Sequence, residues 1–207
     1  MIDAYVWTTP NGEKLTIALE ELGLPYELHW INISKGEQNT PAYRAINPNG
    51  KIPAIVDREG PNGKPLAVFE SMAVLQYLAD KTGQLLPQDG AARYVALEWM
   101  AFNIGGVGPM TGQLGHFAKF APEKVPYAIE RYTKEVERLH DVLDQRLGQT
   151  RFLAGDEFTM ADVINISWVH GPTEFGLFEL TKPNVRRWRD EVLARPAVQR
   201  ARALKPA

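Results

Sequence analysis

The first part of the chain alternates short apolar runs with amphipathic segments. Residues 5–7 are rich in β-forming side chains, which predicts a first strand. A helix is predicted from Thr9 and Pro10 onward, because apolar residues then recur at spacings of three and four until Gly23 gives a stop signal. These apolar residues are Leu15, Ala18, Leu19 and Leu22. Residues 26–33 are also rich in β-formers and predict a second strand.

Two further apolar runs, at 53–56 and 66–69, predict a β-hairpin. The segment between them contains Gly60-Pro61-Asn62-Gly63, which is a turn sequence. An amphipathic segment at 72–79 follows, so the order of elements is βαβ and then ββα. Parallel strands need a crossover helix, whereas the strands of a hairpin are antiparallel. The pattern therefore predicts one mixed four-stranded sheet covered by helices.

The pattern of apolar and polar residues changes at residues 82–90, which form a predicted linker with two glycines and a proline. Beyond it, helices are predicted at 93–102, 126–147, 162–170 and 185–193, and the last ten or so residues are expected to complete the bundle. The 162–170 segment is apolar on nearly every face, which predicts the buried central helix of its domain. The predicted domains are therefore 1–81 and 91–207, joined by the 82–90 linker.

Composition and charge narrow the possible functions. The 207 residues contain no cysteine, which excludes a disulfide framework, a thiolate metal site and a catalytic cysteine. The four histidines lack paired metal-binding spacing, so we expect no metal. The net charge of -2, without a basic cluster, argues against nucleic acid as a partner. No apolar run reaches the roughly 18 residues of a membrane span, and Asp3 lies where a signal peptide carries a cation, so we expect a cytoplasmic protein without membrane contact.

The junction of the first strand and first helix is the first candidate site. Thr9 suits the N-cap and Pro10 the first helical position, and capping alone accounts for both. The alternative adds chemistry, because the free N–H groups and partial positive charge of a helix start attract an anion. The hydroxyl of Thr9 and the carboxamide of Asn11 can also donate hydrogen bonds to a thiolate. Together these effects would lower a thiol pKa by about one to two units.

Two later junctions, before the third predicted strand and after the fourth, also allow two interpretations each. Pro53 opens a strand after a turn, and is either an edge marker or part of a cis Ile52–Pro53 bond. A cis bond can leave the backbone of Ile52 free to pair with an extended peptide. Ser71 is predicted as the N-cap of the next helix. Alternatively, that helix start holds the carboxylate of an amino-acid head group while Glu70 takes its ammonium.

Two segments of the helical part carry structural signals. Thr159 and Asp162 form a variant capping box, with Phe158 as the staple residue before it, and we interpret this motif as structural. The glycines and proline of residues 105–109 would break an ordinary helix. They indicate either a kink or a close helix crossing.

The order of these motifs along the chain, on an α/β part followed by a helical part, resembles that of the cytosolic glutathione transferases. The resemblance extends over essentially the whole chain. The residues that carry the resemblance are Ile52-Pro53, Glu70-Ser71 and the capping motif at 159–162. The resemblance implies an α/β thioredoxin-like N-terminal domain followed by an all-α C-terminal bundle. It also implies that Ile52–Pro53 is cis, that Glu70 and Ser71 bind the γ-glutamyl unit, and that the protein is a homodimer.

Within that superfamily the chain most resembles the nu class, the bacterial disulfide-bond oxidoreductases. The supporting stretches are 8–12, 105–110 and 126–132. In this class the residues that correspond to Thr9 and Asn11 activate the sulfur of glutathione, in place of a catalytic Tyr, Ser or Cys. The resemblance further implies one or two glutathione molecules, or one glutathione disulfide, at each site, and places residues 105–109 near the dimer cleft.

The same resemblance assigns three further residues. Gln38 and Lys51 would contact glutathione from the loops before the cis-proline, and Arg131 would reach the ligand bound to the partner subunit. The expected substrates are small disulfides, with peroxides and electrophiles as further candidates. The alternative is a non-catalytic glutathione-binding regulatory or assembly module. Thr9 and Asn11 favour the enzyme, because a scaffold has no need of thiolate activation.

Overall fold

The computed structural model describes residues 1–206 and divides the chain into two compact units. The first unit combines Met1–Leu86 with the terminal segment that begins at Arg195, and the second is Pro87–Ala194. Within residues 1–206, no helix combines the length and the apolar character that crossing a membrane requires.

The first unit is built on a sheet of four strands within the described residues. They are β1 (Ile2–Val6), β2 (Tyr26–Trp30), β3 (Ala54–Asp57) and β4 (Leu66–Phe69). Their order is β2-β1-β3-β4, with β1 parallel to β2 and both other pairings antiparallel. The predicted mixed sheet with its hairpin is confirmed. The second strand is shorter than predicted, because the Asn32 side chain caps a 3₁₀ turn at Ile33–Lys35.

Three helices of the Met1–Leu86 segment accompany these strands. They are α1 (Pro10–Leu22), α2 (Pro41–Ile46) and α3 (Ser71–Thr82). Helix α1 has the predicted bounds and ends at Gly23 in the left-handed conformation, with φ 61. The sequence pattern does not predict α2, because six residues are too few to show a helical period. The prediction that Ser71 caps α3 is wrong, since Ser71 is the first helical residue and Glu70 occupies the cap position.

The second unit is helical. Its helices are α4 (Gly90–Phe102), α5 (Gly108–Gly115), α6 (Pro126–Leu147), α7 (Met160–Glu174) and α8 (Pro183–Leu193). Helix α6 has the predicted bounds, whereas α4 begins at the last residue of the predicted linker. Almost every residue of α7 from Met160 to Val169 is buried, which confirms the predicted central helix.

Residues 105–109 do not break the helix. A π-helical stretch at Asn103–Val107 joins α4 to α5, and the wider turn accommodates the glycines without a break. A Cβ atom at Gly106 would lie 3.0 Å from Leu139 Cδ2 on α6. The absence of a side chain at Gly106 therefore allows α6 to approach closely, which agrees with the predicted helix crossing.

The capping box of α7 is present as predicted. The backbone N–H of Thr159 donates to Asp162 Oδ2 at 2.9 Å, while Leu153 N–H and Trp188 Nε1–H donate to Oδ1 at 3.0 and 2.8 Å. Complete burial raises the pKa of Asp162 to about 6, although these donors act in the opposite direction. The motif joins three segments of the second unit and has a structural role.

The last helix, α9 (Pro196–Ala203), packs on α1 and not in the helical bundle. Three ion pairs connect it and its cap to α1: Arg195–Glu21 at 2.6 Å, Arg200–Glu20 at 2.6 Å and Arg202–Glu13 at 3.1 Å. The expectation that the chain end completes the 91–207 domain is therefore corrected. A single amphipathic pattern does not show which of two units a helix covers, and here the acidic residues of α1 provide the complementary charges.

Candidate functional site

The start of α1 offers a hydroxyl that can donate to a bound anion. Thr9 is the N-cap, as predicted, with φ -136 and ψ 161. Its Oγ accepts a hydrogen bond from Gly12 N–H at 3.2 Å, which leaves the hydroxyl hydrogen available to a ligand. The preceding Thr8 is exposed and lies outside the helix. Asn11 is half-buried as the second residue of α1.

Gly12 allows this turn to be tight. A Cβ atom there would lie 2.1 Å from the carbonyl oxygen of Trp7, a distance that real structures do not show. Thr9 N–H donates to that same oxygen at 2.7 Å. The strand end and the helix start are therefore held together by backbone contacts that exclude any side chain at Gly12.

The Ile52–Pro53 peptide bond is cis, as predicted. The carbonyl oxygen of Lys51 accepts hydrogen bonds from the Tyr43 hydroxyl at 2.6 Å and from Asn47 Nδ2 at 2.7 Å. Helix α2 and its C-cap residue Asn47 therefore hold the backbone just before the cis peptide bond in place. The side chain of Lys51 is exposed. Ile52 lies just before β3, and its backbone makes no hydrogen bond with another described residue. An extended ligand can therefore pair with the backbone of Ile52 in the manner of a strand.

Gln38 lies directly beside this loop. Its backbone carbonyl is 3.1 Å from the position that a Cβ of Gly50 would occupy, and Gly50 has a φ of 63. The side-chain Oε1 of Gln38 is buried without a hydrogen-bond partner in the part of the chain that the structure describes. A buried unpaired acceptor is costly, which suits a position that an N–H group of a ligand completes.

Glu70 has a backbone conformation that is rare for residues other than glycine. Its φ is 69 and its ψ is 116, a conformation of the kind that costs on the order of 1–3 kcal/mol and concentrates at functional sites. The side chain is exposed, and its Oε1 accepts from Asn49 Nδ2 at 3.4 Å. This contact ties the loop before the cis-proline to the start of α3.

Lys14 is a site residue that the sequence analysis missed. It is 1% exposed, and its Nζ donates to Ser71 Oγ at 3.4 Å, so that it joins α1 to α3. Burial lowers the pKa of Lys14 to about 7, and the charge of Glu70 acts in the opposite direction. The sequence does indicate that Lys14 is buried, because it precedes Ala18 by four residues and therefore lies on the apolar side of α1.

The first unit therefore brings most of the predicted residues together. Thr9 and Asn11 share the start of α1, Ser71 is connected to α1 by Lys14, and Glu70 is connected to the cis-proline loop by Asn49. Gln38, Lys51, Ile52 and Pro53 form or border that loop. The chemistry of this surface suits a small peptide with both charged and extended parts.

Arg131 belongs to the second unit. It is exposed on α6 and lines an open groove of about 670 Å³ with Tyr127, Glu130 and Arg138 among its walls. It donates no hydrogen bond to another described residue. The pKa of Glu135 is lowered chiefly by the hydrogen bond from Arg138, and the charge of Arg131 adds a smaller effect in the same direction. The Arg131 guanidinium is therefore available to an external anion.

One cluster outside this site has metal-binding residue types. Ligand atoms of Asp3, Glu27 and His29 lie within 4.8 Å of one another on the sheet. Arg58 donates to Asp3 at 2.5 and 2.9 Å and to Glu27 at 2.7 Å. This guanidinium, with His29, lowers the pKa of Asp3 to about 2. The cluster is an ion-pair network in which Arg58 already balances the carboxylates.

Comparison with known proteins identifies relatives along almost the entire chain. Residues 8–81 match the family model of the glutathione S-transferase N-terminal domain, and residues 108–196 match that of the C-terminal domain. The chain is 43% identical to disulfide-bond oxidoreductase YfcG of Escherichia coli, over 97% of this chain and 94% of the relative. It is 41% identical to disulfide-bond oxidoreductase YghU of Escherichia coli, over 97% of this chain and 74% of the relative.

Two crystal structures of relatives have closely similar folds. A glutathione transferase from Burkholderia graminis, with two glutathione molecules bound per subunit, superposes with a TM-score of 0.96 at 46% identity, covering 100% of this chain and 89% of that one. A glutathione transferase from Pseudomonas putida, with one glutathione disulfide bound per subunit, gives a TM-score of 0.92 at 40% identity, covering 99% of this chain and 92% of that one.

Proposed function

This chain belongs to the glutathione S-transferase family, and on that premise we propose that it is a glutathione-dependent disulfide-bond reductase. Glutathione is a substrate that supplies the reacting sulfur, because the chain has no cysteine of its own. Two relatives are named disulfide-bond oxidoreductases, and two related crystal structures hold either two glutathione molecules or one glutathione disulfide per subunit. These ligands are the reduced and oxidised forms that such a reaction would interconvert.

The observation that carries the proposal is the hydroxyl of Thr9 at the start of α1. Since Thr9 Oγ already accepts the Gly12 N–H, its own hydrogen is directed elsewhere and can donate to a thiolate. The partial positive charge of the α1 N-terminus favours the same anion. Asn11 is the second donor that we assign to the sulfur. A lower thiol pKa raises the fraction of glutathione present as the reactive thiolate.

The remaining contacts would hold the tripeptide. Ile52, whose backbone makes no hydrogen bond with another described residue, would pair with the backbone of the cysteinyl unit. Glu70 would bind the ammonium and Ser71 the carboxylate of the γ-glutamyl unit. Gln38 and Lys51 would contact glutathione from the adjoining loops. We assign these last two roles from the position of Gln38 beside Gly50 and of Lys51 before the cis bond.

The reaction is a pair of thiol–disulfide exchanges. The thiolate of the first glutathione attacks one sulfur of the substrate disulfide, a new S–S bond forms, and the displaced thiolate takes up a proton. A second glutathione thiolate then attacks the glutathione sulfur of this mixed disulfide. Glutathione disulfide and the second substrate thiol leave. Two glutathione thiols thus supply the two electrons that reduce one disulfide.

We further propose a cytoplasmic homodimer in which Arg131 of one subunit reaches the glutathione of the other. The exposed guanidinium of Arg131, which donates to no described residue, supports a role toward an external carboxylate. Peroxides are additional substrates that an activated glutathione thiolate would attack, and electrophiles are further substrates that it would conjugate weakly.

The test is steady-state reduction of a small symmetrical disulfide with excess glutathione. We expect saturable turnover that depends on glutathione. Activity should survive treatment of the ligand-free protein with an alkylating reagent, followed by removal of the reagent, because no protein thiol takes part. Glutathione binding without turnover would contradict the proposal and favour a non-catalytic glutathione-binding module.

A further inference from the structure

Lys14 is a charged group in a place where a helix normally buries an apolar side chain. It is 1% exposed, yet it lies on α1 within two turns of the Thr9 cap. Burial of an ammonium is unfavourable, and lysines are rarely found inside a protein without a role or a partner. Its Nζ donates a hydrogen bond to Ser71 Oγ at 3.4 Å, at the first residue of α3.

The direction of this hydrogen bond depends on the charge of the lysine. An ammonium has three donors and no acceptor, so it can only donate to Ser71 Oγ. The hydroxyl hydrogen of Ser71 is then free to donate to a ligand. A neutral amine has a lone pair and can accept that hydrogen, which would turn the hydroxyl away from the ligand. The protonation state of Lys14 therefore decides what Ser71 offers.

We propose that Lys14 is a positioning residue of the glutathione site, which in its protonated form orients the Ser71 hydroxyl toward the γ-glutamyl carboxylate and so couples glutathione binding to proton uptake. This inference rests on the proposed function, in which Ser71 receives that carboxylate. The bound carboxylate adds a negative charge next to the buried ammonium, and this charge stabilises the protonated lysine.

Burial and the neighbouring charges together keep the pKa of Lys14 close to neutral pH. Helix α1 packs against β1, α3 and α9. The charged groups of these elements near α1 are largely paired: Asp3 with Arg58, Lys81 with Asp57, Arg195 with Glu21, Arg200 with Glu20, and Arg202 with Glu13. Among the described residues, Glu70 is the group whose charge raises the pKa of Lys14, whereas burial lowers that pKa to about 7. Close to neutral pH, the free protein therefore contains both forms of the lysine.

The protonation of Lys14 determines the direction in which ligand affinity changes with pH. Below about pH 7 Lys14 is protonated before the ligand arrives, so binding requires no proton. Above that pH the free lysine is mostly neutral, and the ligand must draw a proton onto it. Affinity should thus be constant in mild acid and fall on the order of tenfold from about pH 6.5 to about pH 8.5.

The experiment uses the full chain and S-methylglutathione, which carries the γ-glutamyl unit but no thiol to titrate. Affinity is measured between about pH 6.5 and about pH 8.5 for the wild type and Lys14→Met, with Lys64→Met as the control at an exposed lysine. We expect the wild type and Lys64→Met to lose affinity with rising pH, and Lys14→Met to bind more weakly in mild acid with little further loss. The ligand's own ammonium affects all three proteins equally and cancels in their ratio.

Two further measurements test the proposal without the Lys14→Met variant. Calorimetry of the wild type at about pH 7, in buffers of different ionisation enthalpy, should show uptake of about half a proton per ligand bound. Ser71→Ala should lose most of the pH dependence, because Lys14 acts through the Ser71 hydroxyl.

The outcomes separate this inference from the proposed function. Failure of the wild type to bind S-methylglutathione at any pH would overturn both. Tight binding without proton uptake, or an unchanged pH dependence in Lys14→Met, would overturn only the role of Lys14. Full pH dependence in Ser71→Ala would contradict the route through the hydroxyl.

Discussion

Replacement of Thr9 by alanine removes two interactions that affect different measurements. The first is the N-cap hydrogen bond from Gly12 N–H to Thr9 Oγ at 3.2 Å. Loss of such a cap typically lowers the free energy of unfolding by about 0.5–2 kcal/mol. The second is the proposed hydrogen bond from the hydroxyl to the glutathione thiolate. A hydrogen bond to a charged group contributes about 1.5–3 kcal/mol, which corresponds to roughly ten- to a hundred-fold in rate.

We therefore expect Thr9→Ala to reduce the rate of disulfide reduction far more than it weakens glutathione binding, with only a modest loss of stability. Thr9→Ser retains both the cap and the donor and should remain close to the wild type. Thr8→Ala is the matched control, because Thr8 is exposed and does not cap α1.

The assay is steady-state kinetics of the three variants across pH, together with glutathione affinity and thermal melts. A Thr9→Ala variant with a nearly normal rate, combined with a slow Thr8→Ala variant, would show that the wrong threonine was assigned. Normal rates in both would refute thiolate activation at the start of α1.

Three other predictions concern Arg131, Asp162 and Lys14. Arg131→Ala should leave the dimer intact in sedimentation yet weaken glutathione binding by roughly tenfold or more, since a charge-assisted hydrogen bond is lost; unchanged affinity would remove the role assigned to Arg131. Asp162→Ala should lower the free energy of unfolding in urea by about 3 kcal/mol or more, because Leu153 N–H, Thr159 N–H and Trp188 Nε1–H lose their acceptor; a loss below about 1 kcal/mol would contradict this structural role. Because Lys14 has a pKa of about 7 in the folded chain against its ordinary 10.5, the unfolded chain binds more protons between these values and wild-type stability rises with pH there. Lys14→Met should therefore be more stable than the wild type in mild acid, with an advantage in urea unfolding that shrinks toward alkaline pH, and a constant difference would argue against a buried charge.

Elements with strong local signals could be predicted from the sequence. Helix α1 combines the Thr9 cap, an apolar period and the Gly23 stop, and α6 combines an initial proline with a long apolar stripe. Their bounds agree with the prediction at both ends. The hairpin was predictable for the same reason, because a turn sequence separates two short apolar runs. In each case local propensity and the final fold favour the same conformation.

Features that depend on distant partners could not be predicted. Helix α2 is too short for a periodic signal, and the position of α9 on α1 depends on arginines that meet glutamates far earlier in the chain. The sequence pattern predicts the start of α3 one residue too late, because a serine is typical of an N-cap whereas here Glu70, with an unusual positive φ, occupies the cap. The sequence indicates the burial of Lys14, which lies on the apolar side of α1, but only the fold shows that Ser71 approaches its ammonium.

The position of Thr9 and Asn11 at the start of the first helix predicts them as donors, and the structure adds the geometry of the Thr9 cap. The roles of Gln38, Lys51, Glu70 and Ser71 toward glutathione remain proposals, since they depend on where the ligand lies. The cis state of the bond before Pro53 was implied by the family resemblance, and the structure confirms it.

The most direct test of the central claim is the pKa of the glutathione thiol while it is bound. Thiolate absorbs in the ultraviolet where the thiol does not, so a pH titration of the complex, corrected for the protein alone, measures this pKa without a protein cysteine to interfere. The account predicts a value about one to two units below the roughly 8.5 of a free cysteine thiol. A bound thiol whose pKa equals that of free glutathione would contradict activation by Thr9, Asn11 and the start of α1.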